Sequence, residues 1–402
     1  MGKILLFNCI CWIYKRHIPL RKNRILRIST LSSLILIFVL TGEGLTAEPH
    51  VRDSGDIKLG ALIRGYYLND QRIQWSGLEA AFGADAVVSL WKEEKTHWGR
   101  IKAGGEFFLN LPYGKNILRD KERDKYRTNF ETNIFEISQL LLHIKKDTLT
   151  LRLGKVETPF GKTYYPLFSN SCFDAPFIRT EAILARETGV FILYKLKFFN
   201  LDMAIVNGGE DKDTNSSKAF ITRLGINGEK EKWVLGISGK IQDGIGSDRQ
   251  KIYKRHAGID FMVGYSNFIL SGEVIYDEYG CHRDCSSVDG IPRSLYYRDI
   301  YYRNKTPITG VGGYIDLSYK KTNWSGNVNY GEYWPQRIGN PYHDDPIRRG
   351  IIKLSFNLSP RLQAYGVGLF ENERKTEEWR SGEKGIAVMV GLQYLIQHPI
   401  SP

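Results

Sequence analysis

Long apolar runs are scarce in this chain of 402 residues. After Ala47 every hydrophobic stretch is soon broken by Lys, Asp, Asn or Gly. None approaches the roughly twenty consecutive apolar residues that a membrane-spanning helix needs. Proline is sparse beside glycine, 14 against 40, which suits many extended segments joined by turns. Cysteine is rarer still: Cys9 and Cys11 lie in the leader, and only Cys172, Cys281 and Cys285 follow. The run Cys281-His282-Arg283-Asp284-Cys285 reads either as a small disulfide loop or as half a metal site. No second Cys or His pair stands at ligand spacing, so the Cys281–Cys285 disulfide is favoured and neither metal nor other cofactor is expected. Signatures of catalysis are missing too. The region after residue 47 has no phosphate-loop, nucleophile-elbow or His-Glu-x-x-His pattern, and His143, His256, His282 and His343 are scattered along it. These absences argue against an enzyme.

Charge bias is modest. The formal charge is +12, but Lys3, Lys15, Arg16, Arg21, Lys22, Arg24 and Arg27 against Glu43 place half of it in the first 47 residues. The +6 that remains is too little to imply a nucleic-acid partner. Those 47 residues read as an export signal: a basic stretch ending at Arg27, an apolar run from Leu31 to Leu40, then small residues with a cut after Ala47. An anchor that stays attached is the alternative.

Aromatic residues and period-two patterning are what the chain has in quantity. It carries 23 Tyr, 19 Phe and 8 Trp. A mean hydropathy of -0.32 with 25% charged residues looks soluble. It does not exclude a membrane, because a transmembrane barrel shows lipid only every second residue and keeps a polar lumen. In Thr322–Trp334, Trp324, Val328 and Tyr330 fall on one face and Asn323, Ser325, Asn327 and Asn329 on the other. The segment before it sets Val311, Ile315, Leu317 and Tyr319 against Tyr314, Asp316, Ser318 and Lys320. The same test predicts sixteen strands, at 57–68, 80–91, 98–111, 135–146, 149–160, 187–196, 198–207, 218–227, 232–242, 254–264, 266–277, 309–320, 322–333, 349–358, 361–372 and 384–396.

The connections alternate long and short. Short ones fall at Asp147-Thr148, Lys197, Tyr265, Lys321 and Ser359-Pro360, with 92–97 and 228–231 little longer. Long ones fall at 69–79, 112–134, 161–186, 208–217, 243–253, 278–308, 334–348 and 373–383. Outer-membrane barrels alternate in this way, with short periplasmic turns and long external loops, and a soluble sandwich has no reason to. The reading is therefore all-β: a transmembrane antiparallel barrel of about sixteen strands over residues 48–402, in a bacterial outer membrane. Trp91, Trp98, Trp233, Tyr319 and Trp334 are expected as interfacial girdles. Gln397–Pro402 is expected as a tail overhanging the last strand.

Two segments carry a family likeness. Leu151-Arg152-Leu153-Gly154-Lys155-Val156-Glu157-Thr158-Pro159-Phe160-Gly161 is followed by Arg186-Glu187-Thr188-Gly189-Val190 and a hairpin ending Ala204-Ile205-Val206-Asn207-Gly208. Together they resemble the phosphate-selective porin O and P family over about sixty residues. The resemblance implies a water-filled pore, commonly trimeric, that passes anions or other small polar solutes.

A barrel this wide cannot be filled by its own side chains. The third external loop, 161–186, is a candidate constriction, with Lys162, Arg179, Glu181 and Arg186 as its charged members. Alternation points Arg64, Lys102, Arg152, Arg223, Lys240 and Lys353 inward, but also Asp85, Glu106, Asp202, Asp260, Glu273 and Asp316. The wall reads as balanced, with no ladder of arginines on neighbouring strands that would select phosphate. The basic run Lys115–Arg127 either meets lipopolysaccharide phosphates, steers anions or is a solvated loop. Expected partners are membrane lipid and lipopolysaccharide, small anionic or polar solutes, and two further copies of the chain. A surface adhesion or binding barrel with a blocked lumen is the second reading.

Overall fold

Lipid offers backbone N–H and C=O groups no partner, so a sheet that crosses a bilayer must leave no open edge. The chain meets that demand. A computed structural model describes residues 57–70, 81–96, 99–111, 135–161, 176, 178–179, 183, 186–208, 218–228, 232–245, 251–281, 308–336, 346–371 and 385–400. Sixteen strands follow in order: β1 (Ile57–Asp70), β2 (Ala81–Thr96), β3 (Gly99–Leu111), β4 (Phe135–Lys146), β5 (Leu149–Glu157), β6 (Arg186–Lys195), β7 (Phe199–Val206) and β8 (Ala219–Asn227). They continue with β9 (Trp233–Ile245), β10 (Lys251–Tyr265), β11 (Phe268–Cys281), β12 (Ile308–Lys320), β13 (Trp324–Gln336), β14 (Ile347–Asn357), β15 (Leu362–Glu371) and β16 (Gly385–Ile400). Each pairs antiparallel with its neighbours in sequence, and β1 pairs with β16 to close the barrel. The leader and the Cys281–Cys285 loop lie outside the described residues, apart from the backbone of Cys281 at the end of β11. Among the described residues no helix is long and apolar enough to cross a membrane.

The two faces divide as alternation demands. Ile259 and Ile315, each 57% exposed, and Val328 and Tyr330, just over half exposed, stand on the outside. Asp316 and Asn329 on the same strands, and Ser271 and Glu273 on β11, are buried toward the bore. On β4 the extra residue is absorbed by a bulge: Glu106 faces Gln139 but Phe107 faces Ile137. Ser138 and Gln139 are therefore both buried, while Ile137 and Leu140 both keep to the lipid face.

Three expectations shift. Several strands run past their expected ends, so the connection after β2 shrinks to 97–98 and the one after β9 to 246–250. Trp233 and Trp334 do stand on the outer face, but Trp91 belongs to the inner one, sharing the parity of buried Asp85 and lying under the Lys102 ammonium at 4.0 Å. The Lys102 charge gives that ring a partner inside the bore. Trp98 lies outside the described residues. Last, most of the presumed tail is strand: Gln397, His398, Pro399 and Ile400 pair with Gly60, Leu59, Lys58 and Ile57. Closure needs β16 to match the full length of β1, and a pattern search that stops at the last alternating apolar residue cannot see that.

The bore and its candidate constriction

The segment leaving β5 turns into the barrel. Phe160 is fully buried, with its ring edge-on to His256 at 6.5 Å between centroids. Gly161 then takes φ +58, where a side chain is strained, and an added Cβ would collide with the Glu273 carboxylate. Its N–H donates to Ser238 Oγ at 2.8 Å. The Pro-Phe-Gly sequence is thus a corner that only glycine can complete.

Farther along the loop, Ile178 and Ile183 are buried in one cluster with Phe160, Phe191, Ile221, Ile275, Tyr314 and Tyr333. All of those partners but Phe160 project from the inner faces of β6, β8, β11, β12 and β13. Ile178 lies so close to Gly312 that a Cβ there would strike it. Arg179 Nη2 donates to the Phe160 carbonyl at 3.2 Å, and its Nε lies 3.3 Å from Glu273 Oε2. Tyr314 donates its hydroxyl to that same carboxylate at 3.1 Å. Apolar packing and a buried ion pair therefore hold this part of the loop against the wall.

Several of the cations expected to face inward stand beside acids. Arg64 pairs with Asp85 at 2.5 Å. Arg223 makes a two-point contact with Asp260, at 3.0 and 2.6 Å. Lys240 donates to both oxygens of Glu187, at 2.9 and 2.8 Å. Arg152 lies 3.7 Å from Glu157. Arg186 opens β6 opposite Glu157, and Lys353 stands opposite Asn327. Lys162 and Glu181 lie outside the described residues.

The resulting geometry can be set beside known structures. No family model matches the chain, and no curated protein sequence does. Solved structures do match in fold. An anion-selective porin from Comamonas acidovorans aligns with a TM-score of 0.59 at 13% identity, over 86% of this chain and all of that one. OmpT of Vibrio cholerae in its trimer form aligns at 0.58 and 9% identity, over 86% and 100%. The outer membrane channel DcaP of Acinetobacter baumannii aligns at 0.57 and 12%, over 87% and 100%. The fold is that of a porin.

On that porin barrel several partners escaped sequence reasoning. Glu187, Glu371 and Asp277 were not singled out, yet Glu187 holds Lys240, Glu371 takes two bonds from Arg349 at 2.9 and 2.7 Å, and Asp277 lies 3.0 Å from buried His256. Tyr333 donates to the other Asp277 oxygen at 3.1 Å. The Glu187–Lys240 pair bridges strands three apart, and no period within one strand reveals such a partner. The bore is also less uniformly wet than alternation suggests. Tyr66, Leu68, Phe108, Tyr365, Val367, Leu369 and Met389 form a second buried apolar cluster on the inner side.

Proposed function

We propose that this chain is an outer-membrane porin through which small polar solutes or anions diffuse passively. The observation that carries the reading is the division of a closed sixteen-stranded barrel into an apolar outer face and an ion-paired inner one. An apolar exterior more than half exposed on many strands has lipid as its natural solvent. A wall that keeps Arg223, Lys240 and Arg64 beside carboxylates can face water without an uncompensated charge.

In this reading residues 1–47 are a cleaved export signal, 48–402 form the barrel, and loop 161–186 narrows the bore through Arg179 and its neighbours. The protein carries no catalytic machinery. Assembly as a homotrimer follows the likeness to the phosphate-selective family, and lipid and lipopolysaccharide are its surroundings. Phosphate selectivity gains no support from the constriction, where the wall cations are matched by acids.

Planar-bilayer recording with the mature protein tests the function. Stepwise conductance with weak ion selectivity in a salt gradient is expected. A folded, heat-modifiable barrel that stays electrically silent would refute the channel and favour a surface-binding barrel. Migration of the unheated protein at three times its monomer mass tests the trimer.

A further inference from the structure

The inner face is not charged alike all the way round. Toward the short turns, β12 to β16 present hydroxyls and amides in place of ion pairs. Ser318 stands on β12, Asn327 on β13, Ser355 and Asn357 on β14, Gln363 on β15 and Gln393 on β16. They share the parity of buried Asp316, Asn329, Ile351, Val367 and Met389, so all six face the bore. Asn357 is exposed there and the others are half-buried. Register links them across the strands. Asn327 Nδ2 donates to Ser318 Oγ at 2.8 Å. Gln393 donates to Gln363, and Gln363 Nε2 donates to Asn357 Oδ1 at 2.8 Å. Charged groups border this arc without entering the amide chain. Asp316 accepts from Ser318, Asn327 and Asn329 at 3.1, 2.8 and 3.4 Å. Lys353 stands opposite Asn327, and Arg64, opposite Gln393, is held by Asp85. Lys320, Arg361 and Lys58 lie beyond the arc, toward the turns.

We infer that this arc is a binding track for a neutral polyhydroxyl solute, a sugar or sugar alcohol. The inference rests on the porin reading and gives it a solute class. A side-chain amide offers two N–H donors and a carbonyl with two lone pairs. In the chain from Gln393 through Gln363 to Asn357, the middle amide gives one bond and takes one. It keeps the capacity to give and take another. A hydroxyl likewise both donates and accepts, so a solute rich in hydroxyls meets donors and acceptors of the wall alike. Ionised phosphate or carboxylate oxygens only accept, and would face the amide and hydroxyl oxygens with no proton between them. Neighbouring strands lie about 4.8 Å apart, so the arc from β12 to β16 spans roughly 19 Å. That is wider than one sugar ring and suits a short oligosaccharide. Each bond made to the wall replaces one made to water and gains little, so the solute binds weakly and leaves quickly. A permeating solute must do both.

Maltotriose is the probe, added to single channels of the mature protein in KCl. Reversible reductions of the ionic current that saturate with sugar concentration are expected. A polyethylene glycol of equal hydrodynamic size, with donors only at its ends, should reduce the current without saturating. Asn327→Leu combined with Gln363→Leu should raise the half-blocking concentration about tenfold, and inorganic phosphate should not displace the sugar. Should the double variant give no heat-modifiable barrel, Gln363→Ala alone is expected to raise that concentration about threefold. Block that does not saturate, displacement by phosphate, or variants that bind as the parent does would each overturn the track while leaving the porin intact. If no conductance appears, the porin reading fails instead. Saturation-transfer NMR of maltotriose with the folded barrel in a sugar-free detergent then judges the track alone. Transfer weakened in the variants supports it, and no transfer overturns it.

Discussion

Removing Gln397–Pro402 tests how the barrel closes. β1 and β16 face each other in fourteen register pairs, and the cut removes the four that join Gln397–Ile400 to Gly60–Ile57. An antiparallel ladder supplies on average about one backbone hydrogen bond per pair. Pro399 has no N–H to give. Three or four bonds are therefore lost, each with a net value of about 1 kcal/mol where water can replace it. The loss rises to several kcal/mol for any group that ends in hydrocarbon. Ile57–Gly60 stay paired with Ser89–Lys92 on β2, so ten pairs and one intact side still close the seam. The truncated protein should fold into a heat-modifiable barrel that is about 3–4 kcal/mol less stable. Guanidinium unfolding in detergent, followed by tryptophan fluorescence, reads that as a lower midpoint, and removal of Ser401–Pro402 alone serves as the control. A midpoint unchanged by the longer cut would mean that the last four residues of β16 carry no pairing energy, and the reasoning would fail.

Three further outcomes follow from single contacts. Lys240→Met strands Glu187, whose side chain is fully buried, and should cost about 3–5 kcal/mol, most of it recovered when Glu187→Leu is added; a double mutant as unstable as the single would refute the pairing. Ile259→Arg puts a charge on the outer face near the middle of β10 and should cost about 2–4 kcal/mol in lipid, read from refolding yield into vesicles; an unaffected yield would mean that this face does not meet hydrocarbon. Arg179→Gln releases the loop from Glu273, and its single-channel conductance should become larger and noisier than that of the parent; identical traces would show that this ion pair does not hold the loop.

Much of the wall was legible from one strand at a time. Val328 and Tyr330 outside, with Asn329 between them inside, is a consequence of period two that survives folding unchanged. What single strands cannot disclose is stagger. The Glu187–Lys240 contact depends on how far β6 to β9 slide past one another, and small side chains at Ala204 and Ala219 lie on the intervening strands. Trp91 illustrates a second limit. An aromatic residue near a strand end suits a lipid interface by composition, but its parity with Asp85 turns it inward, and only knowing that Lys102 lies on the same face explains why. The bulge at Ser138 reverses parity within a strand that looks regular in sequence.

The inner wall follows from an unequal competition. A buried cation on the inner face loses water on several sides, so it persists where a carboxylate replaces that water, as for Arg179, Arg223 and Lys240. Near the turns the wall opens to bulk solvent, hydration is retained, and the same compensation is no longer demanded. Arg152, with its side chain 31% exposed, and Arg100, at 56%, tolerate looser partners there. Charge pairing thus tracks dehydration along the bore. Where pairing is complete a passing ion meets little net field, and where it is incomplete the field survives but is screened by salt over about 10 Å. In the proposed channel, ion selectivity should therefore be weak, read as a reversal potential close to zero across a KCl gradient, and a strongly shifted potential would refute this account of the wall.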